Sequence, residues 1–242
     1  MTGKGIFITG TDTGVGKTIA ASAITRLLKN RGVNIGIMKP VTSGCEEVDG
    51  QLISEDAEIL AWSAGLDLTD PDIAPYRLAS PIGPSVAASM EGKKIDFGII
   101  KKSFLTLSAR HDFMIVEGAG GLMVPLAGGM LIADLIASLN LPVLVISRPG
   151  LGTINHTLLT CYSAKQLGLK VKGVVINNYP EYPNRAEESA PHLIDSLAGA
   201  PLLGVFPHCE GEDRCEMVEQ LAERLAADPA TRFLLKEIGV GY

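Results

Sequence analysis

The chain has 242 residues, of which 46% are hydrophobic and 20% are charged, enough apolar material for one sizeable α/β domain and rather short for two. This composition excludes a disordered chain. The net charge is −6, and no run of Lys and Arg is long enough to neutralise several phosphates, which argues against a nucleic-acid-binding surface. A small anionic ligand needs only a few local donors and stays compatible with this charge.

The cysteines give no ligand spacing of a zinc site. Cys45, Cys161, Cys209 and Cys215 include no CxxC pair, so we interpret them as reduced thiols. The first residues predict no signal peptide, and no apolar run has the length of a membrane span. We therefore expect a soluble cytoplasmic protein without a nucleic-acid or membrane partner.

Apolar runs of strand length recur along the chain without polar alternation. Such runs indicate strands that are buried on both faces, as in a parallel sheet. The strand candidates are residues 5–9, 35–39, 113–117, 143–147, 173–177 and 202–206.

Helical patterns lie between these runs. The helix candidates are residues 17–30, 96–109, 131–139, 154–167, 186–197 and 214–227, with a short helix at 56–64. Gly32 and Gly168 are predicted to end two of them, since glycine tolerates a left-handed backbone. The pattern predicts one doubly wound, mostly parallel sheet with helices on both faces, formed by residues 1–242 as a single domain.

The first strand candidate runs into a glycine-rich turn and then a helix. Residues 10–18 read GTDTGVGKT, and a strand, such a turn and a helix are the context of a phosphate-binding P-loop. Lys17 is expected to reach the β- and γ-phosphates of a nucleotide, and the Thr18 hydroxyl to ligate Mg²⁺. In the strict P-loop pattern the first glycine stands five places before the second. This chain has Thr11 at that place, and Gly10 stands one position earlier. The alternative is a tight turn whose GKT is coincidental.

Two carboxylates stand where a magnesium ion beside phosphates would need them. Glu117 follows an apolar strand candidate, at the sheet edge where open α/β sheets bind ligands. Asp56 lies in the first turn of the short helix, where the helix dipole favours an acid without any metal. Both alternatives stay open: Glu117 as a solvated loop residue, and Asp56 as a dipole-stabilising acid.

Other polar residues also follow strand candidates. Lys39 could stabilise charge on a phosphoryl group, or could simply leave the sheet for water. Asn177 and Asn178 could read an adenine edge, although Asn is common at turns. His156 has no accompanying Ser or Cys nucleophile, which favours a role in helix capping or packing.

Taken together, these motifs resemble the dethiobiotin synthetases of the biotin pathway. The matching blocks are GTDTGVGKT at 10–18, KPVTSG at 39–44, SEDA at 54–57, VEGAGG at 116–121, LGTINH at 151–156 and PLLG at 201–204. The blocks follow the family's order and spacing over nearly the whole chain. The loop alone indicates only a P-loop protein, and the combination is much more specific.

The resemblance implies a homodimeric enzyme that makes dethiobiotin from 7,8-diaminopelargonate, CO₂ and ATP. A carbamate forms, ATP phosphorylates it, and the second amine closes the ring with loss of phosphate. The Mg²⁺ ligands would be Thr18, Asp56 and Glu117. The catalytic residues would be Lys39 and Lys17.

The resemblance also implies binding residues. Those for the substrate would be Thr13 and Ser43 beside the amines, and Gly152, Thr153 and Asn155 holding the carboxylate across the dimer interface. Those for the nucleotide would be Gly14, Val15, Gly16, Lys17, Thr18, Ile19, Asp56, Glu117, Gly118, Ala119, Gly120, Asn177, Asn178, Pro207 and His208. Gly14 departs from members that have Glu there, and a late nucleotide contact near residues 210–214 stays unassigned.

Two other classes of protein share parts of this pattern. Min- and partition-type ATPases carry a signature lysine five places before the P-loop lysine, where this chain has Asp12. Related amidotransferases of the cobyrinate type need an ammonia source, usually a glutaminase domain, and 242 residues leave no room for one. Both classes are disfavoured.

Overall fold

The computed structural model describes residues 4–241, in which strands and helices alternate along the chain. The strands are β1 Gly5–Gly10, β2 Ile35–Met38, β3 Val41–Ser43, β4 Glu46–Val48, β5 Gln51–Ile53, β6 Tyr76–Leu78, β7 Phe113–Gly121, β8 Pro125–Ala127, β9 Met130–Leu131, β10 Val143–Ser147, β11 Val171–Tyr179 and β12 Leu202–Pro207. The helices are α1 Lys17–Asn30, α2 Glu55–Ala64, α3 Pro84–Met90, α4 Phe97–Ser108, α5 Ile132–Leu139, α6 Thr153–Gln166, α7 Arg185–Leu197, α8 Arg214–Ala227 and α9 Thr231–Ile238.

Six strands form the central sheet in the order β12-β11-β10-β1-β7-β2, and every neighbouring pair is parallel. These are the six strands that the sequence predicts, and helices flank the sheet, so the predicted fold class is confirmed. The physical reason is visible in β1, where Ile6, Phe7 and Ile8 are all fully buried. A strand that is covered on both faces is therefore built mainly from apolar residues.

The strand order places the carboxyl end of β1 at a switch point. The chain leaves β1 through α1 and reaches β2 beyond β7, whereas β10 lies on the other side of β1. Ligands of open α/β sheets bind where the strand order reverses in this way. Helix α1 packs against the sheet and against α2 and α8, so these three helices surround the loop that follows β1.

The predicted helices are present within one residue of their expected ends. Gly32 and Gly168, predicted to end helices, have φ values of 81° and 74°. Helices α3 and α9 were not predicted. Helix α3 has only seven residues in a proline-rich stretch. Helix α9 lies in the C-terminal segment, where Leu234, Leu235 and Ile238 are buried.

The irregular stretch after β2 forms an excursion that returns to the sheet. It contains the antiparallel pair β4–β5 and helix α2, and it ends at β6, which pairs parallel with β3. The excursion thereby brings helix α2 back beside the carboxyl end of the sheet, next to α1 and β2. Within residues 4–241, none of the helices combines the length and apolar content that a bilayer crossing requires.

Gly118 in β7 packs directly against the core. A Cβ on Gly118 would lie 2.7 Å from Cε1 of the buried Phe7, so substitution by alanine must displace an aromatic ring. We expect Gly118→Ala to lower the free energy of unfolding by about 1–3 kcal/mol, the usual cost of overpacking. Urea denaturation measures this change.

The control is Gly83→Ala. Gly83 has an ordinary φ of −53°, and a Cβ there meets no atom within 4 Å. This variant is expected to stay within about 0.5 kcal/mol of the parent protein. Equal stability of the two variants would contradict the packing assigned to Gly118.

Candidate active site

The loop between β1 and α1 has the backbone of a phosphate cradle. Gly14 and Gly16 have φ values of 76° and 79°, in the left-handed region that favours glycine. Helix α1 begins at Lys17 and has neither a side-chain cap nor an acidic residue in its first turn. Its N-terminal N–H groups and its dipole therefore remain available to an anion.

Lys17 lies at the entrance of this cradle and is almost completely buried. Its Nζ donates to the backbone carbonyl of Asp12 at 3.2 Å. Burial lowers the pKa of Lys17, an effect that the nearby Glu117 carboxylate opposes but does not cancel. A buried ammonium with a single carbonyl partner retains donors for phosphate oxygens.

A cluster of charged and hydroxyl groups lies below the loop. Lys39 Nζ is 2.6 Å from Glu117 Oε1 and 2.7 Å from Asp56 Oδ2. The Thr18 hydroxyl lies between the same two carboxylates, 2.8 Å from Glu117 Oε1 and 3.0 Å from Asp56 Oδ1. Glu117 is fully buried, and its Oε2 has no hydrogen-bond partner.

Burial and pairing compete in this cluster. Burial opposes the charge of Lys39, but Glu117 and Asp56 outweigh it, so the pKa of Lys39 is raised. Burial also opposes ionisation of Asp56, yet the Lys39 charge and the hydrogen bonds from Lys39 and Thr18 hold the pKa of Asp56 below its usual range. For Glu117 burial dominates, and the pKa is raised.

The chemistry of this cluster fits a magnesium ion. A hydroxyl and two carboxylates converge, and these are hard oxygen donors of the kind that Mg²⁺ prefers. The unpartnered Oε2 of Glu117 offers one more donor atom. Lys39 supplies positive charge to the same two carboxylates. The predicted metal ligands Thr18, Asp56 and Glu117 are thus brought together.

Three different segments hold the cluster in place. Glu117 belongs to β7, which pairs with β1 so that Glu117 stands opposite Ile8. Ser54 caps helix α2 by accepting from the N–H of Ala57 at 3.2 Å, and its hydroxyl donates to Thr42 Oγ1 at 2.9 Å. This pair of bonds fixes the first turn of α2, which carries Asp56, against β3.

A cleft of about 420 Å³ opens over the cluster. The predicted residues that line it are Thr13, Gly14, Gly16, Lys17, Thr18, Ile19, Lys39, Ser43, Asp56, Glu117, Ala119 and Gly120. Four further lining residues had no sequence assignment: Val41, Thr42, Arg214 and Met217. For Thr42 the KPVTSG motif gave a signal, and Arg214 ends the stretch 210–214 in which a late nucleotide contact was left unassigned. Met217 follows one turn later in helix α8 and had no signal.

Several predicted nucleotide contacts lie outside this lining. Asn177 is fully buried, and its Nδ2 donates to the carbonyls of Val15 and Gly16 at 3.1 and 3.2 Å. Only its Oδ1 is left without a partner and free to accept from a ligand. Asn177 therefore supports the loop, and its contact with adenine stays a prediction.

Gly118, Asn178, Pro207 and His208 also lie outside the lining. Gly118 faces Phe7, Asn178 has a left-handed φ of 58°, and His208 N–H donates to the Tyr179 carbonyl at 2.8 Å. Their nucleotide contacts stay predictions as well.

The predicted carboxylate-binding residues lie apart from the cleft. Gly152 precedes α6 with a φ of 91°, and Thr153 begins the helix with a buried hydroxyl that has no partner. Asn155 borders a separate depression beside Leu158 and Tyr162. Within one chain these residues do not meet Lys39, and their substrate role stays a prediction that requires a second subunit.

The fold and the cleft define a P-loop nucleotide-binding protein. Residues 4–214 match the family model of an AAA domain. Solved structures of a ParA family ATPase from Chlorobium tepidum and of the MinC:MinD cell division complex from Aquifex aeolicus have TM-scores of 0.51 and 0.51, at 17% and 16% identity. The alignments cover 97% and 93% of this chain and 97% and 96% of those chains, and they establish the fold alone.

Much greater similarity links the chain to one group of enzymes. The ATP-dependent dethiobiotin synthetase of Bacillus licheniformis is 42% identical over 86% of this chain and 87% of its own length. Those of Bacillus subtilis and Thermodesulfovibrio yellowstonii are 38% and 41% identical over 84% and 84% of this chain, and 87% and 88% of theirs. The chain belongs to the dethiobiotin synthetase family and is an enzyme of the ATP-dependent ligase class.

Lys39 pairs with two carboxylates in the floor of the cleft. Lys39→Met keeps much of the side-chain volume but leaves the buried Glu117 without its cation. We expect the free energy of unfolding in metal-free buffer to fall by about 3 kcal/mol, because removing one partner of a buried pair strands the other charge. Urea denaturation in the presence of EDTA measures this loss.

Lys93→Met is the matched control. Lys93 is 41% exposed and pairs with Glu91 at 2.9 Å. An exposed ion pair is worth at most about 1 kcal/mol, so this variant should unfold close to the parent protein. If Lys39→Met is no less stable than Lys93→Met, the buried cluster does not support the fold.

Proposed function

We propose that this chain catalyses the ATP- and Mg²⁺-dependent conversion of 7,8-diaminopelargonate and CO₂ to dethiobiotin. The single observation that carries the proposal is the convergence of Thr18, Lys39, Asp56 and Glu117 directly below a P-loop. Family membership supports the same substrate and product, since the relatives are named ATP-dependent dethiobiotin synthetases.

The reaction needs positioning and charge stabilisation more than a covalent nucleophile. One amine of the substrate adds to CO₂ and loses a proton to form a carbamate. A carbamate oxygen then attacks the γ-phosphorus of ATP, so that ADP leaves and a carbamic–phosphoric anhydride forms. The second amine attacks the carbamoyl carbon, phosphate leaves, and the cyclic urea closes. In-line phosphoryl transfer of this kind depends on oriented cations.

The residues of the cleft supply those cations. Lys17, at the start of α1, donates to the β- and γ-phosphates, and Lys39 stabilises charge on the transferring phosphoryl group. Thr13 and Ser43 line the cleft where the amines and the carbamate would lie. Thr18, Asp56 and Glu117 would hold the Mg²⁺ ion, which neutralises phosphate charge when it is bound.

The working unit is a homodimer in the cytoplasm, with residues 1–242 as one domain. The N-terminal turn of α6 supports the dimer proposal, because Gly152, Thr153 and Asn155 would bind a carboxylate at a helix N-terminus and yet lie outside the cleft of their own chain. A second subunit would complete the site.

The first test measures the incorporation of carbon from bicarbonate into the product. Purified protein with ATP, Mg²⁺ and 7,8-diaminopelargonate should incorporate labelled bicarbonate into dethiobiotin, measured by chromatography of the labelled product. Lys39→Gln should lower kcat by roughly 10²-fold or more while ATP binding changes little, since the lost charge acts mainly on the transferring group.

Reactions without the diamine, and reactions in EDTA, are the controls, and Lys39→Gln is assayed at a temperature at which it is folded. ATP turnover without labelled product would refute the synthetase proposal and leave the P-loop assignment intact. Full activity of Lys39→Gln would remove the role given to Lys39.

The second test mixes two impaired variants and measures activity at a diamine concentration well below the KM of Asn155→Asp. Asn155→Asp places a negative charge where the substrate carboxylate would bind, so its KM for the diamine should rise at least tenfold. Refolded together with Lys39→Gln, it should recover about a quarter of the parent activity, because half of the dimers then contain one intact shared site.

Each variant refolded alone is the control. A mixture that stays as inactive as its components would mean that each subunit carries a complete site, contrary to the dimer proposal.

A further inference from the structure

Arg214 lines the cleft but has no role in the reaction described above. It is the first residue of α8, directly after the N-cap Asp213, and Met217 one turn later lines the same wall. Helix α8 packs against α1 and α2, which carry the phosphate loop and Asp56. The guanidinium therefore faces the region between the P-loop and the carboxylate cluster.

The present partners of Arg214 hold it only loosely. Its Nη1 lies 3.2 Å from Glu55 Oε2 and 3.8 Å from Asp56 Oδ1. The Arg214 side chain is 50% exposed and that of Glu55 is 60% exposed. An ion pair between such solvated groups contributes little and is readily exchanged for a better partner.

The backbone that carries Arg214 is, in contrast, fixed to its neighbours. Arg26 of α1 bonds Glu219 of α8 with 2.7 Å between Nε and Oε2. The same Arg26 guanidinium lies over the Trp62 ring of α2, 4.9 Å from its centroid. Arg26 thereby joins α1, α2 and α8 at a point more than one helical turn after Arg214. The Arg214 side chain can therefore change its partner while helix α8 stays in position.

The triphosphate of a nucleotide carries several negative charges, and Arg214 is a cation that could bind part of them. Lys39 is already paired with two carboxylates, and Lys17 and Arg214 are the other two cationic side chains that line the cleft. A guanidinium presents five N–H donors in a fork that matches phosphate oxygens, and such charge-assisted bonds are stronger than a solvated pair with Glu55. A nucleotide in the cleft would bring phosphate oxygens within the reach of Arg214.

We propose that Arg214 is a phosphate-binding residue of the nucleotide site, which exchanges Glu55 and Asp56 for phosphate oxygens when ATP binds. The inference rests on the proposed use of ATP in this cleft. The exchange has a second consequence, because departure of the guanidinium removes a competing cation from Asp56 Oδ1, which then keeps only the hydrogen bond from Thr18. In the protein without nucleotide, Glu55 then holds the Arg214 side chain beside the place where the phosphates would bind.

Nucleotide binding, measured by calorimetry in Mg²⁺ without the diamine, tests the proposal separately from catalysis. Arg214→Ala should weaken the binding of ATP about tenfold, and Arg214→Lys should restore part of it. Inorganic tripolyphosphate is the second probe. Its affinity should fall in Arg214→Ala by a similar factor, since the contact is with phosphate and not with the nucleoside.

Two control variants make the result specific. Arg110 is 51% exposed and pairs with Asp70 at 2.7 Å, so Arg110→Ala removes a similar surface ion pair away from the cleft and should bind ATP normally. Glu55→Gln releases Arg214 without removing it, and should bind ATP as tightly as the parent protein or more tightly. Thermal unfolding checks that every variant is folded.

Unchanged ATP affinity in a folded Arg214→Ala variant would overturn the proposal. So would a loss in Glu55→Gln equal to that in Arg214→Ala, because the ion pair itself would then be what the site requires. Weakened ATP binding with unchanged tripolyphosphate binding would place Arg214 against the nucleoside and would also overturn it. Failure of the parent protein to fix labelled carbon, with normal nucleotide binding, would refute the proposed function alone.

Discussion

The organisation of the site depends on one buried carboxylate and the cation that faces it. Glu117 is fully buried at the carboxyl end of β7, and an ionised group there is tolerated only if it is paired and hydrogen-bonded. Lys39 provides the charge, and the Thr18 hydroxyl provides a further hydrogen bond. These three residues come from three separate elements, so the interaction ties β7, the end of β2 and the start of α1 together.

Asp56 joins this arrangement through an independent support. In the excursion after β2, Ser54 caps α2 and at the same time donates to Thr42 of β3, which fixes the helix that carries Asp56. Lys39 then bonds Asp56 at 2.7 Å, so one ammonium serves both carboxylates. The result is a set of oxygen atoms that is held in position by protein contacts, which is the preorganisation that phosphoryl transfer needs.

The sheet and the loop could be predicted because their signals are local. Uninterrupted apolar runs identify strands that are covered on both faces, and a glycine-rich turn that joins a strand to a helix and ends in GKT is typical of a phosphate loop. Helices α3 and α9 were missed because neither has a strong local signal. The first is short and begins at Pro84, and the second is stabilised mainly by the burial of a few apolar residues against the rest of the chain.

The site was only partly predictable, since single residues carried ambiguous signals. The position of Asp56 in a first turn fitted both helix stabilisation and metal binding, and only its contact with Lys39 and Thr18 assigns it to the cleft. Asn177 resembled a base-reading residue, yet its amide nitrogen is used by the loop carbonyls. Arg214 lies at the end of the stretch 210–214, where a nucleotide contact was expected but not assigned to a residue, and its place in the cleft arises from the packing of α8 beside α2.

By itself the sequence determined where the strands of the central sheet and most of the helices lie along the chain, the phosphate loop and the resemblance to one family, because these depend on neighbours along the chain. The tertiary structure decided which of the dispersed polar residues meet. Lys39 and Glu117 are separated by 78 positions, and Thr18 and Glu117 by 99. Contacts over such distances follow from strand order and helix packing, which no short stretch of sequence encodes.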